Sequence, residues 1–196
     1  MTAASESHPA AVDVLTRGFA LTIDLRDPLT GRHCRDVGTL TERLALALGH
    51  SPAQAHLFGA GGALHDLGKI GISDRILRNT DALSPREFAL VRAHPEHGER
   101  ILRELEALSP ELGTIGEIVG AHHEWWDGRG YPRGVAGLDI PRGARIVAVA
   151  DAYSAITMKR TYDPACEHAD ALEIIARGIG THFDPEIVEA LLALEQ

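Results

Sequence analysis

Cysteine is nearly absent. Cys34 and Cys166 are the two that 196 residues contain, too few and too scattered for a disulfide framework or a cysteine zinc site, so reduced thiols are expected. Positive charge is also short. Lys plus Arg come to 19 against 28 for Asp plus Glu, a formal net charge of −9, which argues against a basic surface for DNA or RNA polymers. No stretch approaches the ~18 consecutive apolar residues of a membrane span, and no basic segment runs into an apolar one at the N-terminus as a signal peptide would. The expectation is a cytoplasmic protein without a membrane partner. Repeats, low-complexity tracts and long linkers are missing too, which leaves one domain.

Strand periodicity is scarce as well. Residues 146–150, Ile-Val-Ala-Val-Ala, could pass for a buried strand, but they are short and have no partner of similar character, so they read as a buried helix. Elsewhere the pattern is helical. Val12, Leu15, Phe19 and Ile23 recur at steps of three and four, as do Val37, Leu40, Leu44 and Leu48, the last followed by Gly49 as a C-terminal stop. Ser51-Pro52-Ala53-Gln54 and Ser84-Pro85-Arg86-Glu87 carry a capping residue, a proline at the first helical position and an acid or amide at the third. Ser109-Pro110, Asp184-Pro185 and Asp163-Pro164 are shorter starts of the same kind. The fold expected is an all-α single-domain bundle of seven or eight helices around one core. Residues 1–26 supply one N-terminal helix, taken as part of the domain, and residues 27–196 the rest. Two stretches do not read as helix: 68–74, and the Gly- and Pro-rich 126–141. A loop of that length inside a compact domain is usually functional or disordered; Trp125, Trp126 and Tyr131 favour an ordered one.

Histidine is plentiful, with eleven in the chain. His33, the pair His65-Asp66, His94, the pair His122-His123 and Asp151 stand out. His65-Asp66 ends an apolar helix, and Asp151 ends the apolar run 146–150. Buried there, an imidazole and two carboxylates are costly unless paired or holding a metal. Five His and two Asp are more donors than one ion with an open position needs. They suit two divalent ions sharing a bridging carboxylate, the clamp used for in-line displacement at phosphorus. Two such ions against two aspartates leave a local positive charge in an acidic protein, which would attract an anionic phosphodiester.

The ordered set resembles the HD superfamily of metal-dependent phosphohydrolases, and more narrowly its HD-GYP branch. The residues that carry the resemblance are His65-Asp66-Leu67-Gly68-Lys69-Ile70-Gly71, His94-Pro95-Glu96, His122-His123-Glu124 with Asp127-Gly128-Arg129-Gly130-Tyr131-Pro132, Asp151-Ala152, and Gly180-Thr181-His182-Phe183-Asp184-Pro185. It runs from about Asp27 to the C-terminus. The resemblance implies an all-helical domain with a binuclear or trinuclear metal centre that hydrolyses cyclic di-GMP to a linear dinucleotide and, in some members, on to GMP. It makes His33, His65, Asp66, His94, His122, His123 and Asp151 the metal ligands, with Asp66 bridging. Lys69 and Arg160 would contact the substrate phosphates, with Lys69 also stabilising charge on the leaving oxygen, and Tyr131 packs the substrate-facing loop. Asp66 and Lys69 are the catalytic candidates. Iron or manganese is favoured for the ions, with zinc and nickel as alternatives.

Four positions depart from the family pattern. Leu29 stands where trinuclear members carry a glutamate, so two ions are expected and not three. Asp163 stands where a basic residue often follows the phosphate-binding Arg160, Ser154 where many members have Asp, and Thr161 where the common motif has Pro. The leading expectation is a two-metal phosphodiesterase acting on a cyclic dinucleotide. The alternatives are a catalytically weak module that binds a cyclic dinucleotide or a protein, and a di-iron oxygenase. Regulatory input would come from a homodimer or a separate protein.

Overall fold

A computed structural model describes residues 9–79, 81–158 and 168–195. These form an all-α domain. Its helices are α1 (Pro9–Arg26), α2 (Pro28–Ala47), α3 (Pro52–Leu64), α4 (Asp74–Leu77), α5 (Pro85–Arg92), α6 (His94–Arg103), α7 (Pro110–Ala121), α8 (Arg142–Thr157), α9 (His168–Arg177) and α10 (Pro185–Leu194). That is more than the seven or eight expected, because α4 is a single turn and Pro95 splits α5 from α6. Residues 146–150 lie inside α8, as a buried helix. The Asp163-Pro164 start, with Arg160, Thr161 and Cys166, lies outside the described residues. Among the described residues no helix is long and apolar enough to cross a membrane.

The helix starts follow the local chemistry. Ser51 and Ser84 each close a reciprocal capping box, with Gln54 and Glu87, and prolines occupy the first turns. Asp27 and Asp184 cap α2 and α10 by accepting from Leu29 N and Glu186 N. The C-terminal stop after α2 is Gly49, whose φ of 82° suits a residue without a Cβ. Ser109, by contrast, gives no side-chain cap to α7; its hydroxyl bonds the Glu111 carboxylate instead.

Two apolar clusters share the long central helices. The larger joins Val37, Leu40 and Leu44 of α2 with Ala144, Ile146, Val147, Val149 and Ala150 of α8, Ile175 of α9 and Ile187 and Leu191 of α10. The smaller joins Val12 and Ile23 of α1 with Leu64 of α3, Leu102 of α6 and Leu112, Ile115 and Val119 of α7. Full burial of a Leu or Ile side chain contributes about 1.5–3 kcal/mol, so these clusters fix α2, α3, α6, α7 and α8 against one another. Those five helices or their ends carry the polar cluster described next.

The loop 126–141 is ordered by backbone pairing. Trp126 N donates to His182 O at 3.0 Å, Asp127 N to Thr181 O at 2.9 Å and Tyr131 N to His123 O at 3.1 Å. Buried Glu124 accepts from Arg133 N at 2.7 Å and Gly134 N at 3.0 Å. Trp125 packs on the His182 ring at 4.4 Å, so the Gly-Thr-His segment serves this loop structurally. A Cβ at Gly130 would overlap the backbone of residues 123–125, which is why the chain can double back here only with glycine.

Candidate metal centre

The two His pairs and His94 sit at helix ends, and that placement aims them. A helix C-terminus leaves carbonyls without intrahelical donors. His65, directly after α3, donates Nδ1–H to Gly62 O at 2.7 Å, and His122, directly after α7, donates Nδ1–H to Val119 O at 2.7 Å. His94 uses a break of another kind. Pro95 has no N–H to give to Val91 O, and His94 Nδ1 occupies that carbonyl at 2.8 Å. In all three the Nδ1 proton is committed and the Nε2 lone pair faces inward, the arrangement in which a neutral imidazole binds a metal. The C-terminal ends of α3 and α7 also direct their partial negative charge at the same place, which favours a cation.

His33 is reached differently. It lies inside α2, where no carbonyl is free, and its Nδ1 meets Ser154 Oγ of α8 at 3.0 Å. Its Nε2–H donates to Asp151 Oδ1 at 2.9 Å. A serine hydroxyl can donate or accept, so Ser154 can also take an Nδ1 proton and leave Nε2 bare.

The ligand atoms fall into two groups, each with all atoms within 4.8 Å of one another: His33, His65 and Asp66 in one, His94, His122 and His123 in the other. Asp66 divides its carboxylate between them. Oδ2 lies 3.6 Å from His65 Nε2, and Oδ1 lies 3.4 Å from His94 Nε2. Asp151 Oδ1 stands 3.7 Å from His65 Nε2 on the first group's side. All seven candidate positions therefore converge. Lys69 Nζ donates to Asp66 Oδ2 at 2.7 Å. Tyr131 stacks on His123, with ring centroids 4.7 Å apart and 28° between planes. Arg160 lies outside the described residues. Leu29, one turn before His33, is 60% exposed and offers no donor.

Charge in the cluster follows from burial. Burial lowers His94 from the usual 6.5 to about 4 and His123 to about 3, and takes His122 well below the usual range, reinforced by the neighbouring imidazoles. Burial works to raise Asp66, but Lys69, His65 and His94 outweigh it and hold the carboxyl well below the usual 3.8. Asp151 is likewise lowered: burial opposes, and the His33 hydrogen bond and His65 overcome it. At neutral pH the centre holds anionic carboxylates beside the neutral rings of His94, His122 and His123. The decisive contact is between His94 Nε2 and His122 Nε2, 3.3 Å apart. Both rings are neutral and both Nδ1 protons are spent, so two lone pairs face each other with no proton between them. A buried pair of acceptors is costly, and a divalent cation ligated by both is the chemistry that satisfies it. The donor set fits metal binding on that ground.

Sequence reasoning missed four residues here. Glu124 tethers the loop, and Arg92 lies over Tyr131 at 4.3 Å. Arg26 donates to Lys69 O and Ile72 O and pairs with Asp74 at 3.0 Å, securing the turn that carries Lys69. Ser154 was visible only as a departure from a pattern. A pocket of about 130 Å³ beside Asp66 and Lys69 is lined also by Arg26, Thr30 and Leu77.

Comparison with known proteins agrees with the all-α fold. The sequence model of the HD domain family matches residues 19–187. A cyclic di-GMP phosphodiesterase of Thermotoga maritima is 41% identical over 173 residues, covering 88% of this chain and 46% of that protein. The 3'3'-cGAMP-specific phosphodiesterase 2 of Vibrio cholerae is 37% identical over 179 residues, covering 91% and 34%. The chain thus spans under half the length of these relatives. Among solved structures, an HDG"Y"P protein of Bdellovibrio bacteriovorus superposes with a TM-score of 0.67 at 21% identity, covering 94% of this chain and 63% of that one. The HD domain of the L. monocytogenes phosphodiesterase PgpH, in complex with cyclic di-AMP, gives 0.64 at 20%, covering 90% and 94%.

Proposed function

The chain belongs to the HD domain family, and from that premise we propose that it is a two-metal phosphodiesterase of the HD-GYP branch that opens a cyclic dinucleotide, cyclic di-GMP first, to a linear dinucleotide. The observation that carries this reading is the division of one buried carboxylate between two histidine groups, Asp66 Oδ2 toward His65, which groups with His33, and Oδ1 toward His94, which groups with His122 and His123. His33, His65 and Asp151 would hold one ion, His94, His122 and His123 the other, and Asp66 both. When bound, two divalent ions supply Lewis acidity at a phosphoryl oxygen and an activated water as nucleophile. Iron or manganese suits this imidazole and carboxylate set, and zinc or nickel would also be accepted.

The chain's own part is positioning and charge. The committed Nδ1 protons keep the rings of His65, His94 and His122 from turning. Lys69 stays an ammonium at neutral pH: burial lowers its pKa, but Asp66 and Asp151 more than restore it. On the rim of the centre, that ammonium faces a phosphodiester on arrival and the leaving oxygen as it gains charge. Arg160 is assigned to the substrate phosphates with it. Asp66 and Lys69 act as a pair, one distributing negative charge to the ions and the other supplying positive charge to the substrate. Exposed Leu29 limits the centre to two ions.

The test is metal stoichiometry by elemental analysis with chromatography of cyclic di-GMP turnover on the same preparation. About two ions per chain and a linear product are expected, both lost to a chelator. Two ions with no turnover of any cyclic dinucleotide would refute hydrolysis; fewer than one ion under every loading condition would refute the centre.

A further inference from the structure

A second concavity shares a wall with the metal centre. This groove, about 350 Å³, opens between α5, the first turn of α6 and the Tyr131-Pro132 turn, and Phe88, Arg92 and Glu96 line it. Three flat groups follow in sequence outward from His123. Tyr131 stacks on the His123 ring at 4.7 Å, the Arg92 guanidinium lies over the Tyr131 ring at 4.3 Å, and the Phe88 ring centre is 6.0 Å from the same guanidinium. Phe88 is 53% exposed, a large aromatic face left in water beside the groove. Arg92 and Glu96 are four residues apart, but Pro95 breaks the helix between them, and among the described residues neither is in an ion pair. Both keep their hydrogen-bonding capacity for something in the groove.

We propose that this groove is a guanine-binding subsite, in which Phe88 forms the stacking platform and Arg92, its face held on the Tyr131 ring, reads the base edge with Glu96. The proposal rests on the phosphodiesterase reading and names the base it prefers. Aromatic rings and guanidinium planes are the surfaces on which nucleobases stack. Guanine presents O6 and N7 as acceptors, which match the paired N–H groups of arginine. Its N1–H and exocyclic amine are donors, which match a carboxylate that only accepts. Adenine reverses both. Its amine would face Arg92 donor to donor, and its bare N1 would face Glu96 acceptor to acceptor. A site built from such groups rejects the base that leaves them unpaired. The position fits as well: the groove begins one ring beyond His123, so a phosphodiester at the ions could place its own base here.

The experiment is calorimetric binding of the linear dinucleotides pGpG and pApA to the metal-loaded protein, with Glu96→Gln and Phe88→Ala variants whose metal content and melting temperature are measured alongside. Binding does not require turnover, so it separates this proposal from the hydrolytic reading. The protein is expected to bind pGpG about tenfold more tightly than pApA or better. Glu96→Gln should bring the two ligands within about twofold of each other, and Phe88→Ala should weaken both by about tenfold. Equal affinity for the two ligands in the unaltered protein would overturn the subsite, as would an undiminished preference in Glu96→Gln. A preference for pGpG abolished by Glu96→Gln, in a protein that hydrolyses no cyclic dinucleotide, would uphold the subsite and refute the hydrolytic reading.

Discussion

Removing the metal should make this protein sensitive to mild acid. In the folded chain burial holds His94 at about 4 and His123 at about 3, against 6.5 for a free imidazole. A histidine whose folded pKa is depressed contributes its full stability above 6.5 and loses it as pH falls toward the folded value, because the unfolded chain takes up the proton first. Between about pH 7.5 and pH 5, each of these two groups then costs about 2 kcal/mol, and both together about 3–4 kcal/mol once their mutual coupling is allowed for. His122 and His182, also lowered by burial, act in the same direction. His56 acts in the opposite one: its hydrogen bond to Asp13 raises it, so its small surface contribution is retained in acid. Asp66 and Asp151 are depressed below 3.8 and stay ionised throughout this window, so they do not contribute to the change. For a domain of this size 1 kcal/mol moves the melting temperature by roughly 2–4 °C, which predicts a fall of about 6–16 °C. Circular-dichroism melting of chelator-treated protein at the two pH values measures it. A fall of under about 3 °C would refute the claim that these imidazoles are buried together and neutral.

Four further outcomes follow from the geometry. Asp66→Asn removes the shared charge without changing volume, so elemental analysis should find less than one ion per chain and turnover should vanish; two retained ions would contradict the bridging assignment. Lys69→Met should keep both ions while lowering kcat by about 10²-fold, the usual effect of deleting one charge-stabilising donor; unchanged kcat would remove Lys69 from the mechanism. Gly68→Ala would drive a Cβ into the His94 carbonyl and the Gly98 amide, at a cost of more than about 2 kcal/mol, and should lower metal content by parting Asp66 from His94. Glu124→Ala removes the acceptor of the Arg133 and Gly134 amides, costing about 1.5–3 kcal/mol in denaturant unfolding. A neutral result at either of these last two positions would show that the turn or the loop repacks freely.

The legible part of this molecule is local in sequence or set by ligand chemistry. The capping boxes at Ser51 and Ser84, the stop at Gly49 and the apolar steps of α1 and α2 could be read because each depends on residues within a turn or two. The seven site positions could be picked out because buried imidazoles and carboxylates need a partner, whatever the fold. What could not be read is long-range. The His33–Ser154 contact spans 121 residues, and Ser154 alone looks like a lost carboxylate instead of a support for an imidazole. Glu124 stands in the motif beside His122-His123, but its part as acceptor of two loop amides appears only when the loop folds over it. Arg92 lies in a charged, exposed helix with no buried residue, and its place over Tyr131 depends on how α5 meets a loop some forty residues on. The extra helix boundary at Pro95 was open to inspection, since a proline one residue after a histidine marks a break. Its consequence, a carbonyl released for the His94 ring, required the helix geometry.

That consequence links fold to function more closely than the ligand set does. A histidine in the middle of a helix has no free backbone acceptor nearby, and its ring turns unless another element holds it. A histidine at a helix terminus or a proline break has an orphan carbonyl three residues back, and three of the five candidate ligands use one. The same hydrogen bond satisfies a helix end, fixes the tautomer and points the lone pair, so the stability of α3, α5 and α7 and the order of the centre are one property. Of the other two, His123 stacks on Tyr131, while His33 takes its support from α8 and therefore depends on how α2 and α8 pack. Replacing Ser154 with Ala removes only that support. The expected result is a selective weakening of one ion while the group of His94, His122 and His123 keeps its own. Stepwise metal titration of Ser154→Ala, read as two binding constants, would show one weakened and one preserved; equal weakening of both would mean that the two groups are not independently held.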